Sequence, residues 1–328
     1  MDKLKPILAL FADSAKKWSD DRAARLAAAL AYYTLFSMAP LLILLTGFIG
    51  RFLGEFFSIE AIGEQLEQII GVESTEWIMS IIDGASAPTS FTIAALISLG
   101  VMFWGASNIF SHLKETLNFM WGVKAKPGAG IGILHFIRGR LLAFAVVVIA
   151  GLLFATYFLA NTAISIAIPI INEYIPDAWE VVPTWRTIQG IQLGVAFLIV
   201  TLLFALFYKI LPDVKMTWRD VWVGAAVTSL LFGVGTVALS IYLSFSSVGS
   251  LYGAAGSILV ILMWVNYSAQ IFLYGAEFTY VYTTRFGSQI QPAGLAVSFR
   301  KPGIEGQETA DDKEMELKGE TAEAPIGR

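Results

Sequence analysis

Between Asp220 and Glu277 the chain runs 56 residues without a charged side chain. At about 1.5 Å per helical residue that is more than twice a hydrocarbon core of roughly 30 Å, so the run must cross a bilayer twice. Its middle, Ser244 to Gly253, is rich in Ser and Gly and supplies the turn. Four further apolar runs are each long enough to span: Leu26 to Gly50, Gly84 to Leu113 with His112 inside it, Leu141 to Asn172, and Thr187 to Tyr208. The pattern predicts an all-α polytopic membrane protein, a bundle of six transmembrane helices with cores near 27–49, 91–111, 143–168, 189–208, 221–243 and 255–276.

The segments between the spans complete the outline. The stretch 52–88 carries seven acidic residues and no Lys or Arg, and Ile59, Ile62, Leu66, Ile69 and Ile70 recur at helical spacing opposite Glu60, Glu64 and Glu67. It reads as an amphipathic helical insertion between the first two spans, with a second short helix around Thr75 to Ile82. Residues 1–24 read as an interfacial helix, alternating apolar residues with Lys. The transmembrane domain occupies 25–285, and 286–328, rich in Glu, Asp, Gly and Pro, is expected to be a disordered tail.

Basic residues orient this outline. Twenty lie on the side that holds both termini, and the opposite side has Arg51 and Arg186 alone. That asymmetry places both termini in the cytoplasm. The first 25 residues do not form a cleavable signal peptide, because charges are spread through them and no short apolar core precedes a cleavage site.

Composition agrees: 56% of the 328 residues are hydrophobic, 15% are charged, and the mean hydropathy is +0.67. No segment is left for a separate soluble catalytic domain. The absence of Cys excludes disulfides, thiolate metal sites and cysteine nucleophiles. His112 and His135 are the two histidines, and no HExxH, no GxxxxGK[ST] loop and no convincing Ser-His-Asp triad can be assembled. The chain is expected to be no enzyme, with neither cofactor nor metal and no nucleic-acid partner.

Polar residues inside the spans are the candidate chemistry. Asn266, Gln270 and Glu277 fall within about 40° of one helix face, and polar groups at membrane depth usually face the bundle interior or a wet cavity. They either line a substrate path or act as interhelical glue, with Glu277 capped by Arg285. On the first span Tyr33, Ser37 and Pro40 stand at i, i+4 and i+7, so the hydroxyls either repair the backbone at a proline kink or form a polar step. Asn108 adds an amide from the second span. Pro40, Gly253 and Gly256 are the hinge or kink candidates, the two glycines fitting a tight hairpin equally well. Ala24, Ala28 and Ala31, with Ala27 on the adjoining row, form a packing stripe. Lys114, Lys124, Lys126, Arg138, Arg140, Lys209, Lys215 and Arg219 follow from topology and can also attract anionic lipid headgroups.

Three separated motifs carry a family resemblance. The first span contains Ala27 through Leu42 with Tyr32-Tyr33-Thr34-Leu35-Phe36-Ser37-Met38-Ala39-Pro40; the cytoplasmic turn reads Tyr208-Lys209-Ile210-Leu211-Pro212-Asp213 before Trp218-Arg219-Asp220 and Gly224; the last span runs from Tyr252-Gly253-Ala254-Ala255-Gly256-Ser257 to Tyr274-Gly275-Ala276-Glu277. Over about Trp18 to Tyr282 the chain resembles the YihY/BrkB family of bacterial inner-membrane proteins. The resemblance implies six helices in the inner membrane. Family members have been labelled virulence factors and ribonuclease BN, and lipid or lipopolysaccharide-precursor transport has been suggested for them. A ribonuclease has no chemical support in these residues. The expected function is handling of a lipid or other amphiphile through a polar cleft between spans 1, 2 and 6, with a membrane scaffold as the alternative. Expected partners are membrane lipids, anionic phospholipid or a lipopolysaccharide precursor among them, and further copies of the chain or envelope proteins.

Overall fold

The computed structural model describes residues 5–53, 72–85, 108–125, 184–245, 254–287, 290–294 and 296–298, together with positions 63 and 67 and parts of 141–164. The helices are α1 (Lys5–Asp20), α2 (Ala23–Leu53), α3 (Val72–Ala85), α4 (108–120), α5 (helical positions within 148–164), α6 (Thr184–Ile210), α7 (Trp218–Phe245) and α8 (Ala254–Phe286). Four short strands join them: β1 (Val123–Ala125), β2 (Val214–Lys215), β3 (Gln291–Pro292) and β4 (Ala296–Ser298).

Among the described residues three helices are long and apolar enough to cross a membrane: Gly190–Ile210, Trp218–Leu243 and Gly256–Phe286. Their packing is inverted relative to a water-soluble bundle. Leu230, Val234, Val237 and Ile241 follow one another up a single stripe of α7 and are 54 to 63% exposed, while Thr228, Thr279, Thr283 and Glu277 are fully buried. Hydrocarbon solvates such an aliphatic stripe as well as a core would, whereas water does not.

The tightest contact joins α7 to α8 through a reciprocal pair. Each helix carries a glycine followed four residues later by a threonine, Gly224 with Thr228 and Gly275 with Thr279. Thr228 Oγ1 donates to the Gly224 carbonyl and Thr279 Oγ1 to the Gly275 carbonyl, each at 2.7 Å. A methyl group on Gly224 would lie 1.8 Å from Thr279 Oγ1, and one on Gly275 would lie 1.9 Å from Thr228 Oγ1. Only a glycine on each helix lets the other's threonine in. Tyr208, from α6, locks the same level: its hydroxyl donates to the Phe272 carbonyl at 2.7 Å and lies 3.1 Å from Thr228 Oγ1.

This level belongs to one end of the bundle. The start of α2 (Ala23, Ala27, Leu30), the end of α4 (Leu117, Met120, Trp121), the end of α6 (Phe204, Tyr208), the start of α7 (Val221, Ala225) and the last third of α8 (Leu273, Ala276) share one buried core. α2 and α7 therefore start at this level, whereas α4 and α6 end at it. The α2 stripe differs from the expected one by a residue: Ala23, Ala27 and Ala31 are buried, whereas Ala24 and Ala28 are exposed. The interface is set by the adjoining i, i+4 row.

The same end is tied together by backbone pairing. β1 pairs antiparallel with β4 (Lys124 opposite Val297), and β2 with β3 (Val214 opposite Pro292). The expected all-α chain is mostly helical, with these short strands added to it, and the tail, expected to lack structure from residue 286, contributes β3 and β4. The first dozen tail residues supply strands to the turns that follow α4 and α6, satisfying backbone groups of those turns. Thr217 caps α7, its hydroxyl oxygen accepting from the Asp220 backbone N–H at 3.4 Å while the hydroxyl donates to Asp220 Oδ2 at 2.7 Å.

Of the insertion, α3 is described and contains the expected Thr75 to Ile82 helix; Ile78 and Ile82 pack on Ile261 of α8 with Leu35 and Met38 of α2 alongside. The expected helix around 59–70 lies outside the described residues apart from positions 63 and 67, as do span 91–111 up to residue 107 and parts of span 143–168.

Candidate functional site

Two polar constellations occur near the packed end. The first straps α1 onto α8. Phe11 stacks near Phe278 at 5.0 Å between centroids, the Tyr274 hydroxyl donates to the Phe11 carbonyl at 3.1 Å, and Arg285 forms an ion pair with Asp13. At the centre Lys17 Nζ lies 3.1 Å from Glu277 Oε2 and 3.0 Å from Asp21 Oδ2, donates to the Met120 carbonyl at 3.1 Å, and sits 4.3 Å from the Tyr280 ring centroid. The Glu277 side chain is fully buried and that of Lys17 is 23% exposed. Burial pulls the Lys17 ammonium down, but Glu277 and then Asp21 outweigh it and leave its pKa pushed up to about 12. Arg285, named as the cap for Glu277 in one expectation, pairs with Asp13 instead, and Lys17 takes its place.

The second constellation is a groove of about 240 Å³ between α2 and α4, lined by Leu26, Ala29, Leu30 and Tyr33 on one side and His112, Glu115, Thr116 and Phe119 on the other. Tyr33 and His112 stack face to face, 3.7 Å between centroids and 8° from parallel. Glu115 Oε2 lies 3.8 Å from His112 Nδ1, beyond hydrogen-bond length, and its side chain is 75% exposed. Lys114, one residue away, points elsewhere, to Asp213 Oδ1 at 2.8 Å. The walls are thus apolar, with an aromatic pair and one carboxylate at the polar end.

The other sequence candidates are placed as follows. Ser37 is buried and donates to the carbonyls of Tyr33 (3.0 Å) and Thr34 (3.2 Å), a local backbone role. α2 runs unbroken through Pro40, whose side chain lies outside the described residues. Gln270 donates to Asn266 Oδ1 at 2.6 Å along α8, so the two amides are bonded to each other; both are half-buried, as is Asn108 on α4. Gly256 is buried near the start of α8, and Gly253 lies outside the described residues. Asn266, Gln270 and Glu277 are therefore not gathered into the Tyr33 groove. Lys209 donates to the Met216 carbonyl and lies 5.8 Å from the Trp218 ring, while Lys215 and Arg219 are exposed. Lys124 sits in β1; Lys126, Arg138 and Arg140 fall outside the described residues.

Asp213 is the hub of the Tyr208 to Asp213 turn. Its backbone N–H donates to Asn118 Oδ1 at 2.8 Å, Asn118 Nδ2 donates to its carboxylate at 3.0 Å, and its carbonyl accepts from Ala293 N–H at 2.9 Å. That turn motif is thereby explained as a structural joint between α4, α6 and the start of the tail. Among the described residues no group of three or more His, Asp or Glu side chains is gathered to hold a metal ion.

Comparison with known proteins fits the joint. The family model for the virulence factor BrkB matches residues 14–298, from within α1 to the last residue of β4. The chain belongs to the BrkB family. The match takes in the tail strands, beyond the Tyr282 limit of the sequence motifs. Relatives include a UPF0761 membrane protein of Aeromonas salmonicida (strain A449), 25% identical over 276 residues that cover 80% of this chain and 85% of the relative. Others of that name occur in Pseudomonas aeruginosa (strain LESB58), 26% identical over 270 residues covering 80% of this chain and 60% of the relative, and in Vibrio vulnificus (strain YJ016), 23% identical over 256 residues covering 76% and 74%. The chain spans 47% of a similar Psychrobacter protein. None of these names states an enzymatic activity. No solved structure matches the chain. This BrkB-family member is an integral membrane protein.

Proposed function

We propose that the chain is a non-enzymatic, six-span protein of the bacterial inner membrane, with both termini cytoplasmic, that binds and moves a phospholipid-like amphiphile through the groove between α2 and α4. The observation that carries this reading is the groove's composition. Leu26, Ala29, Leu30 and Phe119 offer an apolar bed, and Tyr33, His112, Glu115 and Thr116 a polar end. An amphiphile needs that pairing. The volume of 240 Å³ is below the roughly 300 Å³ at which pockets begin to enclose whole small ligands. It suits a headgroup with its first methylenes, the acyl chains staying in the bilayer.

Photocrosslinking tests occupancy. In proteoliposomes, a phospholipid with a photoactivatable acyl chain should label peptides spanning Leu26 to Tyr33 or His112 to Phe119. Ala29→Trp should abolish that labelling: Ala29 is exposed in the groove, so the indole fills it without displacing a packed side chain. Labelling confined to the outer stripe of α7, or undiminished in Ala29→Trp, would exclude the groove.

A further inference from the structure

The groove's own charge points to the class of headgroup it takes. Among the described residues that line it Glu115 is the one acidic side chain, and no Lys or Arg is among them. Lys114 would be the natural neutralising partner, but its ammonium is engaged by Asp213. The Glu115 carboxylate is largely exposed, and His112 Nδ1 stays 3.8 Å off. His112, the neighbour of that carboxylate, lies stacked on the Tyr33 ring, and Tyr33 is 36% exposed, so a partly exposed aromatic pair shares the groove with Glu115. A carboxylate that shares a groove with a partly exposed tyrosine ring suits an ammonium group, by ion pairing and by cation–π contact together. An anionic headgroup would meet a like charge, with no Lys or Arg among the described lining residues to offset it.

We propose that the amphiphile bound in the α2–α4 groove carries an ammonium headgroup, held between Glu115 and the Tyr33–His112 pair. This rests on the groove being an amphiphile site, and the experiment separates the two claims. Proteoliposomes receive equal amounts of a photoactivatable phosphatidylethanolamine or of the same lipid N-acetylated at its amine, and capture at groove peptides is compared. N-acetylation removes the positive charge and leaves the phosphate and acyl chains unchanged. Wild type should capture the free-amine lipid about threefold to tenfold better, the range that one exposed ion pair with one cation–π contact supports. Glu115→Gln should bring the amine lipid down to the level of the N-acetylated one, and Tyr33→Leu should lower the preference without reversing it. Equal capture of both lipids by wild type overturns the ammonium assignment while leaving the amphiphile site standing. Capture of neither in the groove overturns both. A preference that survives Glu115→Gln unchanged also overturns the assignment, because the charge that creates it would then lie elsewhere.

Discussion

Gly275→Ala is expected to cost the protein most of its folded yield. The added methyl would stand 1.9 Å from Thr228 Oγ1 and 2.5 Å from the Tyr208 hydroxyl, neither of which can withdraw, since Thr228 donates to the Gly224 carbonyl and Tyr208 to that of Phe272. Overpacking of this kind costs about 1–3 kcal/mol when neighbours shift, and more when they are fixed on both sides. Gly224→Ala meets the same obstacle from the other helix, with Thr279 Oγ1 at 1.8 Å and its Cβ at 2.8 Å. Adding Thr279→Gly to Gly224→Ala should restore part of the loss by opening the space that the methyl needs. The check is the amount of monodisperse detergent-extracted protein and its melting temperature. Wild-type melting in both single variants would mean that α7 and α8 do not interlock as described.

Lys17→Met should be the next most damaging change. It leaves the Glu277 carboxylate fully buried with its ammonium partner gone, and removing one member of a buried pair costs about 3–5 kcal/mol. The partial exposure of Lys17 argues for the lower end. Pairing Lys17→Met with Glu277→Gln should recover much of the stability, because the amide needs no counter-charge. The pH dependence follows from the raised pKa of Lys17. Its stabilising contribution is complete below the ordinary value of 10.5 and is lost as pH rises through about 12, so this group adds no slope in the neutral range. A melting temperature that is unchanged in Lys17→Met would show that α1 is not strapped to α8 by this pair.

The last three spans were legible because charge-free runs mark them, and the helices Gly190–Ile210 and Trp218–Leu243 agree with the expected 189–208 and 221–243 within a few residues. The final helix extends to Phe286, ten residues past the expected end at 276, because the run was cut at Glu277 and that charge is neutralised inside the fold by Lys17. Pairing across 260 residues of sequence leaves no local trace. For the same reason the Tyr33–His112 stack and the position of Glu115 went unread, although both ring residues were visible in their runs. The strands of two or three residues are too short to show an alternating pattern. The equal four-residue spacings of Gly224/Thr228 and Gly275/Thr279 acquire their meaning only once α7 lies against α8 and each glycine faces the other helix's threonine.

The central claim, movement of an amphiphile by the α2–α4 groove, is tested most directly by lipid redistribution in liposomes. Vesicles carrying a fluorescent phosphatidylethanolamine are treated with a membrane-impermeant quencher, and the protected fraction is compared between vesicles with wild type, with Ala29→Trp and without protein. Wild type should expose lipid from the inner leaflet faster than protein-free vesicles, and Ala29→Trp, folded and inserted to the same extent, should fall back to the protein-free rate. Wild-type and protein-free vesicles quenching alike, or Ala29→Trp redistributing lipid as fast as wild type, would contradict it.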